Sequence, residues 1–534
     1  MPSLKAGEKR TRPPCKCVVT AVFLVTLHLH ATAAVQEDDT QGPKLLSISE
    51  LRDLATASPT AATEARLKTV LQTPFISNTV QPTSAIERPR PATIRVLEWN
   101  IERGLQLELT CLALKEPSEF HNRVEKTQHI SARRWRKAEL ELDELRRADI
   151  LILNEVDFGL KRTGYANVAS ELAKCSGMNY SFGVEFVEVD RLYTGDERIQ
   201  MKTPGLTQAL ANNFRVDPNR WHGLHGNAIL SRFPIQSARI DRLSTCYDWY
   251  GSEIEAISHL ERGKRAIAGK AFASRIRRQV RRGGRMMLTA VLDADSQQGL
   301  TIVATHLEDR SRPACRRQQM KEVLSNIAAA PGPLAIGGDL NTSTMDGTPT
   351  SVKYEIQKRV SDPRFWASQG IKWFTPLGLP FHIIWPVNFF KNFHDPSAVH
   401  VPFFAPNRER ALFRDLRSFR FADGSDFDLA GDRYRSGNGR SRTLSNSNER
   451  VWKGFAPTFH LERNYLGLTA YRLDWLLVKT NKNRTQVGLP QAYRPKTLTT
   501  LNELGKDQLS DHQPISLQLR YSLGEAPSTG KGLR

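Results

Sequence analysis

Nine side chains able to do chemistry stand at the ends of short apolar runs. They are Asn100 and Glu102 after IRVLEW, Glu155 in DILILNE, His306 after LTIVAT, Asp339 and Asn341 after PLAIGG, Asp474 opening DWLLVK, and Asp511 with His512 ahead of ISLQLRY. Hard divalent cations such as magnesium take oxygen ligands, usually one or two carboxylates with water and substrate phosphate completing the set. Glu102 and Glu155 suit that task, and Asp511 offers another oxygen beside an imidazole. A carboxylate such as Asp474 can fix the tautomer of His512 and support its protonated form, so that a histidine contacts a phosphoryl oxygen. Three other chemistries lose ground: no Cys or His cluster has zinc spacing, no Gly-rich phosphate loop is followed by Lys, and no G-x-S-x-G elbow is present.

For these groups to meet, the runs must be strands that end on one rim. From Ile94 onward, IRVLEW, DILILNE, GNAILSR, MLTAVLDA, LTIVATHL, PLAIGGDL, RLDWLLVK and ISLQLRY alternate with helical or polar stretches, which predicts a layered α/β domain. Strand ends on one rim of such a fold face a common crevice. Asn100 with Glu102, and Asp339 with Asn341, lie two apart, and alternate residues of an extended segment project to the same side. Helices are predicted for Ser131 to Arg147, Asn167 to Cys175 and Ala314 to Ala328.

Residues 35–92 read as a leader and linker with two short helical patterns, Ile48 to Ala55 and Ala61 to Leu71. Residues 93–522 form the domain, and residues 523–534 a loose tail. Two segments look like additions to the domain. Ten Lys or Arg residues lie between Arg262 and Arg285, with Ile267, Phe272 and Ile276 placed so that one helix could gather its cations on one side. The second addition, residues 342–469, precedes the penultimate motif strand and is rich in Phe, Trp, His, Arg and Gly, as expected of a binding loop or accessory subdomain.

The first 34 residues read as an export signal: Lys5, Lys9, Arg10, Arg12 and Lys16, then an apolar run from Val18 to Leu27, then Ala31, Thr32 and Ala33. The run is too short to anchor the chain, since about 20 residues are needed to cross a bilayer. A secreted or periplasmic protein is expected. Removing the signal takes away five basic residues and Glu8 and lowers the net charge from +20 to +16, so basic character belongs to the folded protein. Four cysteines remain, Cys111, Cys175, Cys246 and Cys315; two disulfides, in any of three connectivities, or free thiols are all compatible with their spacing.

The ordered strings WNIERG, LNEVD, GNAILSRFPI, ATHLE, GGDLNT, RLDWLLVK and SDHQP resemble the endonuclease/exonuclease/phosphatase superfamily, the deoxyribonuclease-like fold. Each is weak alone; seven in order, each at the end of an apolar run, are specific. The resemblance covers about residues 93–341 and 470–520. It implies a four-layered sandwich, two packed mixed β-sheets flanked by helices. It also implies roles: Asn100, Glu102, Glu155 and Asp511 at the metal, Asp339 activating the attacking water, Asn341 and His306 at the scissile phosphate, and Asp474 paired with His512. Asn227, in GNAILSRFPI, and Arg312 are assigned to substrate. The reaction implied is magnesium-dependent hydrolysis of a phosphodiester, with manganese as a substitute.

Relatives of this kind cleave nucleic acid, sphingomyelin, phosphoinositides and tyrosyl-phosphate links. The sequence LDW stands where inositol phosphatases carry Cys-Asp-Arg, which lowers that reading. Net charge, Arg162 and the group Arg310, Arg312, Arg316 and Arg317 favour a polyanionic strand, making nucleic acid the leading expectation. The aromatic stretch Trp373, Phe374, Phe381, Trp385, Phe389, Phe390, Phe393, Phe403 and Phe404 supports the alternative, a sphingomyelinase-like phospholipid phosphodiesterase. A catalytically inactive polyanion-binding module is the third reading.

Overall fold

Two mixed sheets carry the domain in a computed structural model that describes residues 40–80, 93–194, 215–254, 279–294, 299–342, 409–437, 443–451, 454–460, 470–480, 489–504 and 508–521. The strands in chain order are β1 Phe75–Ser77, β2 Thr93–Arg103, β3 Ile150–Phe158, β4 Asn179–Glu188, β5 Leu224–Ser231, β6 Ile235–Arg242, β7 Arg281–Gly283, β8 Met286–Leu292 and β9 Leu300–Thr305. They continue as β10 Leu334–Asp339, β11 Asp426–Phe427, β12 Arg450–Val451, β13 Gly454–Phe455, β14 Phe459–His460, β15 Ala470–Tyr471, β16 Asp474–Thr480, β17 Gln491–Thr497 and β18 Ile515–Arg520. One sheet runs β1-β4-β5-β3-β2-β18-β17 with β7 beside β4, and the other runs β11-β16-β10-β9-β8-β6. The central pairs β2–β3 and β9–β10 are parallel and their neighbours antiparallel.

Alternation along the strands builds the layers. On β2, Ile94 and Val96 face the second sheet, joining Ile150, Ile152, Leu288, Ile302 and Leu476 in a dry inner core. Leu97, Trp99 and Ile101 face the other way, onto the helices Ala132–Arg146 and Val168–Ser176. Outside the second sheet, Val303, Ile336 and Trp475 pack on the helices Pro313–Ile327 and Arg410–Ser418. The result is the four-layered α/β sandwich expected from the sequence, with the three predicted helices displaced by a residue or so at their ends. Among the described residues no helix is long and apolar enough to cross a membrane.

Three readings change. Residues 41–77 are not a linker: the helix Ile48–Leu54, closed by a Ser47/Glu50 capping box, and the helix Ala61–Gln72 bury Leu51, Leu54 and Val70 in the outer core. Strand β1 then adds to the sheet, with Phe75 opposite Phe182. Few apolar residues do this work, which is why the stretch reads as polar. The second half of the insertion is likewise domain, since β11 pairs with β16 and Phe413, Phe421, Phe427 and Phe455 are buried in the outer core of the second sheet. The basic segment does not end as a helix: Arg281 and Arg282 lie on β7, paired with β4, and Arg281 and Arg285 are buried. The export signal, the aromatic stretch 373–404, most of the basic segment and the tail lie outside the described residues.

Disulfides join Cys111 to Cys175 and Cys246 to Cys315, with sequence separations of 64 and 69. The first fastens the helix Leu107–Lys115 to Val168–Ser176; loops of this length correspond to about 4 kcal/mol in the chain-entropy picture. A Cys111→Ser/Cys175→Ser variant is expected to lose about 2–4 kcal/mol in urea titration. A midpoint equal to wild type would remove the stabilising role.

Tight backbone approach at Gly226 makes a second expectation. A Cβ there would lie 1.8 Å from the Gly183 carbonyl oxygen and 3.0 Å from the Glu185 nitrogen, both main-chain atoms of the adjacent strand. Gly226→Ala must therefore part β4 from β5, with an expected cost of about 3 kcal/mol, readable as a lowered melting temperature.

Candidate active site

The neighbouring strands β2 and β3 both break register at the same end, between Asn100 and Arg103 and between Leu153 and Val156. Such bulges re-aim side chains. Glu102 and Glu155 sit in them with φ of 47° and 51°, and Asn341, just past the end of β10, has φ of 49°. Left-handed backbone costs a non-glycine residue on the order of 1–3 kcal/mol, and such strain gathers at functional sites. Glu102 therefore reaches the rim through a bulge, not through simple alternation with Asn100, whose side chain is buried beneath it. The two remain linked, since the Asn100 Oδ1 accepts the Glu102 backbone N–H at 3.1 Å.

Asp339 stands at the centre. Its Oδ1 accepts the Asn341 backbone N–H at 2.8 Å, and its Oδ2 lies 3.2 Å from the Asn100 Nδ2 that donates to it. The Nε2 atoms of His306 and His512 approach the same Oδ2 at 3.6 and 3.7 Å. Burial, then the nearby Asp474, push the Asp339 carboxyl up to about 7. His512 turns its Nδ1 to Asp474 at 2.9 Å. Burial opposes its cationic form, but Asp474 and Asp339 outweigh that and hold the imidazole well above its ordinary value. His306 goes the other way: burial, then Arg285, hold it well below. One pocket thus presents a cationic and a neutral imidazole to one carboxylate.

Glu102, Glu155 and Asp511 line the more open side of this pocket. Burial, then Asp511, push Glu102 up to about 8; Asp511 is raised by burial, with Glu155 adding to it. Burial would raise Glu155 too, yet Arg103, with Nε 3.8 Å from its Oε2, and His225 keep it below the usual range. Three carboxylates with too little positive charge among them form an oxygen donor set that fits a hard divalent cation. Asp339, Asp474 and His512 also bring one ligand atom each within 4.8 Å of one another. There the His512 Nδ1 is already engaged by Asp474, so this trio reads better as the proton-handling group.

Behind the pocket lies a network that sequence reasoning missed. The Asn154 Oδ1 accepts the Asp339 N–H at 2.7 Å, and its Nδ2 donates to the Asn227 Oδ1 at 2.9 Å. Asn227 in turn donates to Glu185 at 3.2 Å, so its amide is engaged on both sides. The assignment of Asn227 to substrate is corrected accordingly: it is fully buried and braces the floor. Asn341 differs from expectation in the same way, donating its Nδ2 to the Leu307 carbonyl at 2.9 Å while its N–H holds Asp339. Glu98, between the sheets, has no hydrogen-bond partner on either oxygen among the described residues. Burial, Asp474 and Asp339 push it well above the carboxylate range, so a neutral acid backs the site. Only Asn154 and Asn227 were within reach of the sequence, through LNEVD and GNAILSR.

The arginines counted as polyanion contacts are mostly spent inside the protein. Arg162 is bidentate to Asp157 at 2.5 and 2.8 Å and bonded to Glu188; Arg310 pairs with Glu253, Arg316 with Glu409 at 2.5 Å, and Arg317 with Asp415 at 2.6 Å. Arg312, at the N-cap of Pro313–Ile327, stays exposed.

The sequence profile of the endonuclease/exonuclease/phosphatase family matches residues 97–512, and the chain belongs to that family, whose members are hydrolases of phosphoester bonds and typically use a divalent metal. Comparison with curated proteins finds no match. Among solved structures, the chain is similar to an endonuclease/exonuclease/phosphatase from Beutenbergia cavernae at 14% identity and TM-score 0.37, over 81% of this chain and 72% of that one. It is similar to the human Nocturnin catalytic domain at 13% identity and TM-score 0.34, over 81% and 95% of the two chains. A 3'-5' exonuclease from Neisseria meningitidis gives 11% identity and TM-score 0.35, over 80% and 100%.

Proposed function

We propose that the protein is an exported, divalent-metal-dependent phosphodiesterase, with magnesium as its metal and nucleic acid as its leading substrate. The observation that carries this reading is the meeting of Asp339 with both His306 and His512 beside the acids Glu102, Glu155 and Asp511. Glu102, Glu155 and Asp511 would hold the cation, which supplies charge stabilisation at the phosphoryl and leaving oxygens when bound. The chain's own groups do the rest. Asp339, with a carboxyl near 7, accepts the proton of the attacking water at Oδ2 as general base. Cationic His512 and neutral His306 present Nε2–H groups toward the phosphoryl oxygens as charge develops. Asn341 and Asn154 hold Asp339 from either side.

Export is supported by the two disulfides, which form and persist in oxidising compartments. A net charge of +16 once the export signal is removed supports a polyanionic substrate, and Arg312 is an exposed cation that could meet it. The test is a panel: single- and double-stranded DNA, RNA, sphingomyelin and an aryl phosphodiester, each with magnesium or manganese and with chelator. Cleavage of nucleic acid that chelator stops and metal restores is the expected result. Cleavage of lipid alone overturns the substrate, and polyanion binding without any cleavage overturns the enzyme.

A further inference from the structure

Arg285 lies immediately before β8, and its side chain is 4% exposed. It is wedged between acids and an imidazole. Its Nη1 donates to the Glu185 Oε2 at 3.0 Å and lies 2.7 Å from the His306 Nδ1, and its Nη2 donates to the Asp309 Oδ1 at 3.1 Å. Phe186 covers the guanidinium, 5.3 Å from ring centroid to carbon. Glu185 is itself held by Asn227, and through Asn154 the chain of bonds ends on the Asp339 N–H.

We propose that Arg285 is a positioning residue for hydrolysis, fixing His306 as the neutral tautomer that carries its proton on Nε2. A guanidinium has N–H groups and no acceptor, so an imidazole nitrogen 2.7 Å from it must accept, and an accepting Nδ1 carries no proton; the Glu185 Oε2, 3.7 Å from the same Nδ1, lies beyond hydrogen-bond reach. The remaining proton sits on Nε2, which faces the Asp339 Oδ2 at 3.6 Å and the space a phosphoryl oxygen would enter. A ring held this way has no lone pair on Nε2, so His306 donates one hydrogen bond and takes no proton from water. His512 receives the opposite instruction, because a carboxylate at Nδ1 demands a proton there. The general base is thereby left to Asp339. Lowering of the His306 pKa by burial and Arg285 is consistent with this tautomer.

The inference rests on the phosphodiesterase reading for its kinetic part alone. Nitrogen-15 NMR of histidine-labelled full-length protein, with the His306 signals identified by their loss in His306→Gln, reads the tautomer without substrate or metal. The expected wild-type result is an unprotonated Nδ1 and a protonated Nε2. A proton found on Nδ1 overturns the proposal, whatever the protein cleaves.

In Arg285→Met the signals should shift toward a tautomer mixture, and kcat on an aryl phosphodiester should fall by about 10–100-fold with KM little changed, the range for partners that orient site groups. Arg285→Lys, which keeps a cationic donor, should restore the Nε2–H signature and most of kcat. If Arg285→Met does not fold, the wild-type and Lys spectra still decide. A fall in kcat with the wild-type tautomer retained would make Arg285 structural only. If no substrate is cleaved, the tautomer result stands by itself and the enzymatic reading alone fails.

Discussion

Glu155→Gln is expected to lower kcat/KM by on the order of 10³-fold, about 4 kcal/mol of lost transition-state stabilisation, with the fold intact. The glutamine has the same length and keeps an acceptor for the Asn100 Nδ2, 3.4 Å from the Glu155 Oε1 in the native site. What it removes is a negative charge from a set in which burial raises both Glu102 and Asp511, with Asp511 and Glu155 adding to the rise of Glu102 and Glu155 adding to that of Asp511. The fold should be retained, and the melting temperature should hold or fall slightly, because Arg103 and His225 lose the charge that they hold below the usual carboxylate range. The measurement is kcat/KM against metal concentration beside a thermal melt. Activity within tenfold of wild type at saturating metal would remove Glu155 from the metal set.

Asp474→Asn should cost more in kcat than in KM. The carboxylate lies 2.9 and 3.1 Å from the His512 Nδ1 and is what raises that imidazole against burial. An amide can donate to Nδ1 and thereby select the wrong tautomer; in Ser-His-Asp triads the same exchange costs about 10⁴-fold. Here a loss of about 10³–10⁴-fold is expected, with the protein still folded, since the position is fully buried on β16 and the exchange conserves shape. An equal loss in Asp474→Asn and His512→Gln, with no further loss in the double variant, is the expected signature of groups that act as a unit. Additive losses would separate the two residues.

Much of this was legible because apolar runs and their polar ends are local signals. WNIERG, LNEVD, ATHLE, GGDLNT, RLDWLLVK and SDHQP each place a chemical group at a strand end, and the fold brings Asp339, His306, His512 and Asp474 together from four such strings. What stayed hidden depends on partners distant in sequence. Arg285 looks like one more cation in a basic segment until Glu185 and His306 are beside it, 100 and 21 residues away. Glu98 reads as a surface acid in a strand, yet faces the inner core. Arg316 reads as a solvated cation near the start of a helix, whereas Glu409, 93 residues on, buries it completely. Polar leader residues concealed Leu51, Leu54 and Val70, whose few side chains suffice to dock two short helices.

The twisted backbone at Glu102, Glu155 and Asn341 bears on whether the molecule has retired from catalysis. Glycine would occupy each of those three positions with less discomfort, and a scaffold kept merely for adhesion to polyanions gains nothing by holding awkward carboxylates and an amide there. Three such contortions at a single rim make sense as the recurring penalty of a working pocket, and they weigh against an inert descendant of one.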